Sequence, residues 1–318
     1  MSVSIRPFQP RDLSGVLRVL GQAMHADAIP ESRFVRQVLL DANFRAEGAP
    51  VAVRGDDVIG FCLSIARQTP LENAAPDGDR GYVTLISVLP AEQRRRVGSQ
   101  LLAVVETYLR AQGRKLVMVS SYAPGYFIPG VDVNAYPSGQ SFFARHGYKE
   151  IIRPVAMQTS LWELRQPEWV GERACKLAGE GLTVSPFTTG LTLPLLDFAQ
   201  QEFPGDWVRV VREAIARIVA YGDSPSRLFA AVDNENVVGF SHYDNERFGP
   251  IGVAASQRGR GLGQVLMYRT LLAQRDAGFR AAWFLWSDDK TAAKLYNGAG
   301  FKEVRRFALL RKELTSTT

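Results

Sequence analysis

The chain says nearly the same thing twice, and that repetition restricts its fold more than any other feature. "IRPF" (Ile5–Phe8) and "VSPF" (Val184–Phe187) each follow a short alternating stretch, 179 positions apart. "VAVRGDDVIGF" (Val51–Phe61) and "FAAVDNENVVGF" (Phe229–Phe240) each read as strand, polar turn, strand, and Gly60 and Gly239 keep the offset of 179. Further on, "ISVLPAEQRRRVGSQLL" lies against "IGVAASQRGRGLGQVLM" at an offset of 165, with Gly98 opposite Gly263. "FFARHGY" (Phe142–Tyr148) then matches "LYNGAGF" (Leu295–Phe301) at an offset of 153. The shrinking offsets put 14 extra residues in the first half around Gln68–Tyr82 and 12 more at Ser121–Gly139, where Pro and Gly suit a loop. Two tandem α/β domains of one fold, each a mixed α+β sheet, are expected. The expected boundaries are 1–165 and 182–318, with "RQPEWVGERACKLAGEG" (166–181 at its centre) as the linker.

Each half reads as strand, helical material, β-hairpin, strand, a loop with glycine or arginine, helix, strand, short helix and a final strand. The helix after the first loop has apolar residues at helical spacing, among them Leu101, Leu102, Val105 and Leu109. Composition removes several function classes. Cys62 and Cys175 are the only cysteines and His25, His146 and His242 the only histidines, so neither a disulfide framework nor a Cys/His metal cage is expected. The net charge is +6, yet the arginines are scattered apart from clusters at 94–96 and 305–306, and no nucleic-acid partner is expected. "MSVSIRPFQP" lacks the basic start and apolar core of a signal peptide, and no apolar run approaches the ~20 residues of a membrane span. A cytoplasmic protein without a membrane partner is expected.

"QRGRGLGQVL" (Gln257–Leu266) carries the chemistry. Glycines let backbone N–H groups converge on an anion, and the helix that follows adds its unsatisfied N–H groups and positive dipole end. Arg258 and Arg260 can add charge. The loop lacks the Lys-Ser/Thr pair of a nucleotide triphosphate loop, and its alternating Gly259, Gly261 and Gly263 lack dinucleotide-fold spacing. By themselves these residues also fit an ordinary glycine-rich turn before a helix.

The surroundings narrow the choice. "GPIGVAASQRGRGLGQVLM" resembles the acetyl-coenzyme A signature of the GNAT superfamily of N-acetyltransferases: Arg258, Gly261 and Gly263 meet its Gln/Arg-x-x-Gly-x-Gly/Ala core. A second marker, "LY…GF", falls on Leu295, Tyr296, Gly300 and Phe301. The resemblance implies transfer of an acetyl group from acetyl-CoA to a primary amine by direct attack, with CoA as product. It implies a cofactor site at Ile251, Val253, Arg258, Gly259, Arg260, Gly261, Leu262 and Gly263, with the backbone N–H near Val253 steadying the oxyanion. Tyr296 becomes the acid for the leaving thiolate. His242, or a carboxylate at the end of the same strand, Asp244 or Glu246, becomes the base.

The first half keeps Gln93, but it has Arg96 where Gly261 stands and Phe143 where Tyr296 stands. A degenerate first copy and one CoA site per chain are therefore expected. The acceptor is a small-molecule or peptide amine, and the chain is expected to be a monomer acting as a pseudo-dimer, or a homodimer. An acyl-CoA-binding regulatory module without turnover is the other reading that these residues allow.

Overall fold

The computed structural model describes residues 2–72, 77–203, 205–288 and 291–314, positions 291–293 by their backbone alone. In chain order the elements are β1 (Val3–Pro7), α1 (Leu13–Ala23), α2 (Glu31–Phe34), β2 (Pro50–Arg54), β3 (Asp57–Ala66), β4 (Arg80–Val88), α3 (Val97–Ala111), β5 (Leu116–Val119), β6 (Val131–Asp132), α4 (Pro137–Arg145), β7 (Lys149–Ile152) and β8 (Val155–Ser160). There follow α5 (Glu168–Gly179), β9 (Leu182–Pro186), α6 (Thr192–Glu202), α7 (Asp206–Tyr221), β10 (Leu228–Asp233), β11 (Asn236–Asp244), β12 (Arg247–Val253), α8 (Leu262–Asp276), β13 (Ala281–Ser287), α9 (Thr291–Asn297) and β14 (Lys302–Glu313).

The chain divides into two compact units, but not at the expected boundaries. The first gathers residues up to Pro154 together with the segment from Arg306 onward, while the second takes Val155–Arg305 and a short stretch from Leu71. The cause lies in two strands. At the offset of 153, β8 is the counterpart of the second half of β14. Yet β8 pairs antiparallel with β13 in the second unit, through Ala281↔Ser160 and Trp283↔Gln158. The end of β14 pairs antiparallel with β5 in the first, through Leu310↔Val119 and Glu313↔Leu116. Each unit is thus completed by its counterpart's strand. The expected linker is also corrected: α5 forms there because Val170 and Leu177 share one face and bury beside α8.

In the first unit the sheet runs β1-β2-β3-β4-β5-β14, with β7 and β6 also paired to β14. In the second it runs β9-β10-β11-β12-β13-β8. Neighbours are antiparallel except for β4–β5 and β12–β13. Alternation along each strand feeds two cores, one per face. On β2, for example, Val51 and Val53 turn toward the α1 side and Ala52 toward α3. Leu101, Leu102, Val105 and Leu109 all lie in the α3-side core, as their spacing predicted. The second unit repeats the plan, with α5 and α8 on one face and α6 and α7 on the other.

The insertion at Ser121–Gly139 packs on its own unit. The Tyr122 hydroxyl donates to Asp41 at 3.0 Å and accepts from the Asn43 amide at 2.8 Å, while the Tyr136 hydroxyl donates to Asp27 at 2.7 Å. Of the other proposed insertion, Gln68–Tyr82, residues 73–76 lie outside the described ones.

Candidate active site

In each unit the parallel pair of strands parts, in the first after four register pairs from Arg80↔Leu116 to Val83↔Val119. In the second unit β12 and β13 share a single register pair, Arg247↔Trp283, and the Trp283 N–H donates to the Glu246 carbonyl at 2.9 Å. Beyond that point β12 runs alone toward Val253. A bulge on it, at Gly249–Pro250, sets two residues against His242 of β11. The Ala254 N–H turns to the Val238 carbonyl at 2.9 Å, so strand alternation turns the N–H groups of Val253 and Ile251 to the opposite edge, into the fork. A free strand edge of this kind can pair with an extended amide-bearing ligand.

At the open end of the fork stands the glycine loop. Gly259 and Gly261 adopt φ of 78° and 86°, a left-handed conformation that favours glycine, and Gly261 is the N-cap of α8. Among the described residues, none of the backbone N–H groups of Gly259 to Gly263 finds a protein acceptor, and the first that does is Gln264, to the Gly261 carbonyl at 3.1 Å. A run of unpaired N–H groups at a helix start is an anion cradle. Gly263 acts differently: a Cβ there would meet Val253 and Leu295 at 3.8 and 3.9 Å, ordinary contact, so alanine fits as well. Leu262 is buried in the core below and anchors the turn. The two loop arginines are unequal. Arg258 extends over the Val253 carbonyl, with Nε 3.4 Å away, whereas the Arg260 guanidinium is bonded to Glu180 and Gln257.

Tyr296 projects from α9 into the fork. Its ring lies 6.2 Å from Phe248 on β12, 4.5 Å from Phe284 on β13 and 5.5 Å from Phe301. Among the described residues its hydroxyl has no hydrogen-bond partner. Burial, reinforced by the Asp288 carboxylate, pushes its pKa up to about 12, so the phenol carries its proton throughout the neutral range.

The three base candidates fare differently. His242 is buried, its Nδ1 lies 3.4 Å from the Gly249 carbonyl, and desolvation pushes its pKa down to about 4. It is neutral at pH 7, and its conjugate acid is too strong to hold an ammonium proton. Asp244 is committed to Arg217 at 3.1 Å and Arg227 at 3.5 Å. Glu246 is half-buried at the apex of the fork, and its carboxylate makes no hydrogen bond or ion pair among the described residues.

The first unit shows the same fork with altered fittings. Its last cross-fork bond is from the Ser120 N–H to the Val83 carbonyl at 2.7 Å, and the fork opens onto a cavity of about 380 Å³. Ser87, Arg94, Arg96, Tyr136, Phe143 and Arg145 are among its lining residues. The Ser87 hydroxyl is buried there with no partner among the described residues. Arg94 and Arg96 take φ of 62° and 64°, matching Gly259 and Gly261, and Arg96 caps α3 as Gly261 caps α8. The lost glycines have therefore not changed the path of the loop. What remains different is Phe143, buried where the tyrosine of the second unit stands.

Sequence reading did not find Arg173, which reaches the glycine loop from α5, or Phe203, whose ring fills the space beside Gly252. Helical spacing of Val170 and Leu177 was the available signal for the first. Nothing local marked the second.

Comparison with known proteins follows the same division. The profile described as "Acetyltransferase (GNAT) family" matches residues 22–124, and that described as "Acetyltransferase (GNAT) domain" matches residues 224–303. A mycothiol acetyltransferase of Kineococcus radiotolerans is 26% identical over 262 residues, covering 78% of this chain and 77% of that protein. Among solved structures, a glucosamine N-acetyltransferase region of a fungal multi-domain GH3 β-N-acetylglucosaminidase superposes with a TM-score of 0.79 at 18% identity; it covers 98% of this chain, which spans 38% of that one. A tandem GNAT protein from the clavulanic acid biosynthesis pathway covers all of both chains, with a TM-score of 0.64 at 17% identity. These structural likenesses speak for the fold.

Proposed function

The chain belongs to the GNAT family of acetyltransferases and carries two of its domains in tandem, and from that premise we propose that its second unit transfers acetyl from acetyl-CoA to a primary amine. The observation that carries the reading is the convergence of Tyr296 on the fork from which β12 sends the N–H groups of Ile251 and Val253. Acetyl-CoA, when bound, supplies an acetyl thioester and a diphosphate. The loop N–H groups of Gly259–Gly263 and Arg258 suit the diphosphate, and the open edge of β12 suits the amide-bearing arm.

In this reading the amine nitrogen forms the new C–N bond as the C–S bond breaks. The Val253 N–H steadies the charge gathering on the carbonyl oxygen. Glu246, through water, takes the ammonium proton, and Tyr296 gives its proton to the departing sulfur. A pKa of about 12 makes Tyr296 a weak acid in water's terms. The same low-dielectric fork raises the proton affinity of the sulfur as well, so donor and acceptor shift together. His242, neutral and bonded toward Gly249, holds the bulge rather than moving protons. The first unit, with Phe143 in place of the acid, does not catalyse.

The test is acetyl-CoA turnover on a panel of amines, read by thiol release, together with calorimetry on Gly261→Arg. That substitution places a side chain at φ 86° and against Arg173, and should weaken CoA binding by more than tenfold, about 1.4 kcal/mol. Turnover that survives Gly261→Arg unaltered would refute the assignment of this loop. Binding of acetyl-CoA without turnover on any amine would favour a regulatory module instead.

A further inference from the structure

Two loop arginines could meet an anion at the start of α8, and one of them is already engaged. The Arg260 guanidinium pairs with Glu180, just beyond the end of α5, and with the Gln257 amide oxygen. Its charge is compensated before any ligand arrives. The same stretch that supplies this carboxylate also supplies a cation. Arg173, midway along α5, lays its side chain across the loop. Its Cγ, Cδ and Nε lie 3.1, 3.1 and 3.2 Å from where a Cβ on Gly261 would stand. Its Nη1 donates to the Arg260 carbonyl at 3.4 Å, and no carboxylate pairs with it among the described residues.

We propose that Arg173 is a phosphate ligand of the second unit, supplied by the helix between the two repeats. The inference rests on the proposed function of that unit and adds a residue outside its repeat. Three observations support it. The guanidinium is solvent-accessible and has no carboxylate partner among the described residues, so an incoming anion meets it without displacing a countercharge. It lies beside the run of backbone N–H groups that lack acceptors, where a planar fork can share phosphate oxygens with the loop. Its stem uses the space left by the missing side chain at Gly261, so the glycine serves two ends: its φ of 86°, and the approach of Arg173. The Glu180–Arg260 pair then clasps the end of α5 to the loop and fixes the place from which Arg173 reaches out.

The experiment compares a probe with phosphates to one without. CoA affinity is measured by calorimetry for the full chain and for Arg173→Ala, at low and high salt, and acetyl transfer is measured with acetyl-CoA and with acetyl-pantetheine, which has no phosphate. Arg173→Ala should weaken CoA about tenfold at low salt and raise KM for acetyl-CoA with kcat held. The loss should shrink at high salt, and kcat/KM for acetyl-pantetheine should not move. Arg173→Lys should restore part of the affinity, and Arg173→Gln, which keeps most of the stem, should behave like Ala. An equal loss with acetyl-pantetheine would make Arg173 a packing residue and overturn the proposal. So would unchanged CoA affinity in Arg173→Ala while Gly261→Arg abolishes binding, an outcome that leaves the loop assignment standing. CoA binding indifferent to both variants would overturn the loop assignment as well.

Discussion

Replacing Tyr296 with phenylalanine removes one hydroxyl and little else. The ring is held by Phe284 at 4.5 Å, Phe301 at 5.5 Å and Phe248 at 6.2 Å, and phenylalanine keeps all three contacts. The hydroxyl has no protein partner among the described residues, so its loss breaks no hydrogen bond and folding stability should change by no more than about 0.5 kcal/mol. Turnover should change far more. A positioned acid contributes roughly 10²–10⁴-fold, or about 2.7–5.4 kcal/mol of barrier. The tyrosine's pKa of about 12 also means that the wild-type rate should show no loss from phenol ionisation below about pH 10. Kinetics at saturating acetyl-CoA with any accepted amine, beside calorimetric CoA binding and a melting curve, separate the two roles. The acid role requires kcat and kcat/KM to fall together, with CoA affinity and melting temperature held. A kcat within a few-fold of wild type in a normally folded variant would refute it and leave solvent as the proton source.

Two further outcomes follow from the second unit. His242 has a folded pKa of about 4 against about 6.5 when unfolded. Above pH 6.5 both states are neutral; below it the unfolded chain takes a proton that the folded one refuses, so stability falls with pH until about 4, by about 3 kcal/mol in all. Urea unfolding at pH 7, 5 and 4 should show a shallower acid decline in His242→Asn than in wild type, and equal declines would remove His242 as the cause. Gly252→Ala would place a Cβ 2.3 Å from Cζ of Phe203, a ring stacked on Trp207 at 4.5 Å. Overpacking there should cost about 1–3 kcal/mol, and an unchanged melting temperature would show that the ring gives way freely.

The sequence made the repeat legible because hairpin turns, glycine loops and amphipathic helices are local patterns, and local patterns survive divergence. Gly60 with Gly239 and Gly98 with Gly263 were enough to lay one half over the other. The fork itself could not be read. Parting of β12 from β13 depends on where a ladder stops, after Arg247↔Trp283, and no single residue announces it. Nor was the exchange of β8 and β14 visible, since β8 and the matching half of β14 both run from three buried residues to a more exposed end and either would serve either sheet. Arg94 and Arg96 misled in an instructive way. Arginine in a glycine position suggests a changed loop, yet the rest of the turn imposes φ of 62° and 64° on them. His242 looked available because it is a histidine near carboxylates, and only burial reveals how poorly it holds a proton.

The exchange of end strands also governs the order in which this protein can be made. Leu310 must reach Val119 before the sheet of the first unit is complete, and about 190 residues of chain separate them. At roughly 5–20 residues per second of synthesis, the first repeat emerges from the ribosome some 10–40 s before its closing strand. Through that interval the free edge of β5 is a row of unpaired donors and acceptors, open to whatever strand arrives first. The first repeat's own equivalent of the closing strand is β8, which the finished fold assigns to β13. A chain cut between the repeats would keep β8 and lose β14, so each half expressed alone would carry the other's strand. The two repeats share a fold, but neither is a self-contained gene segment.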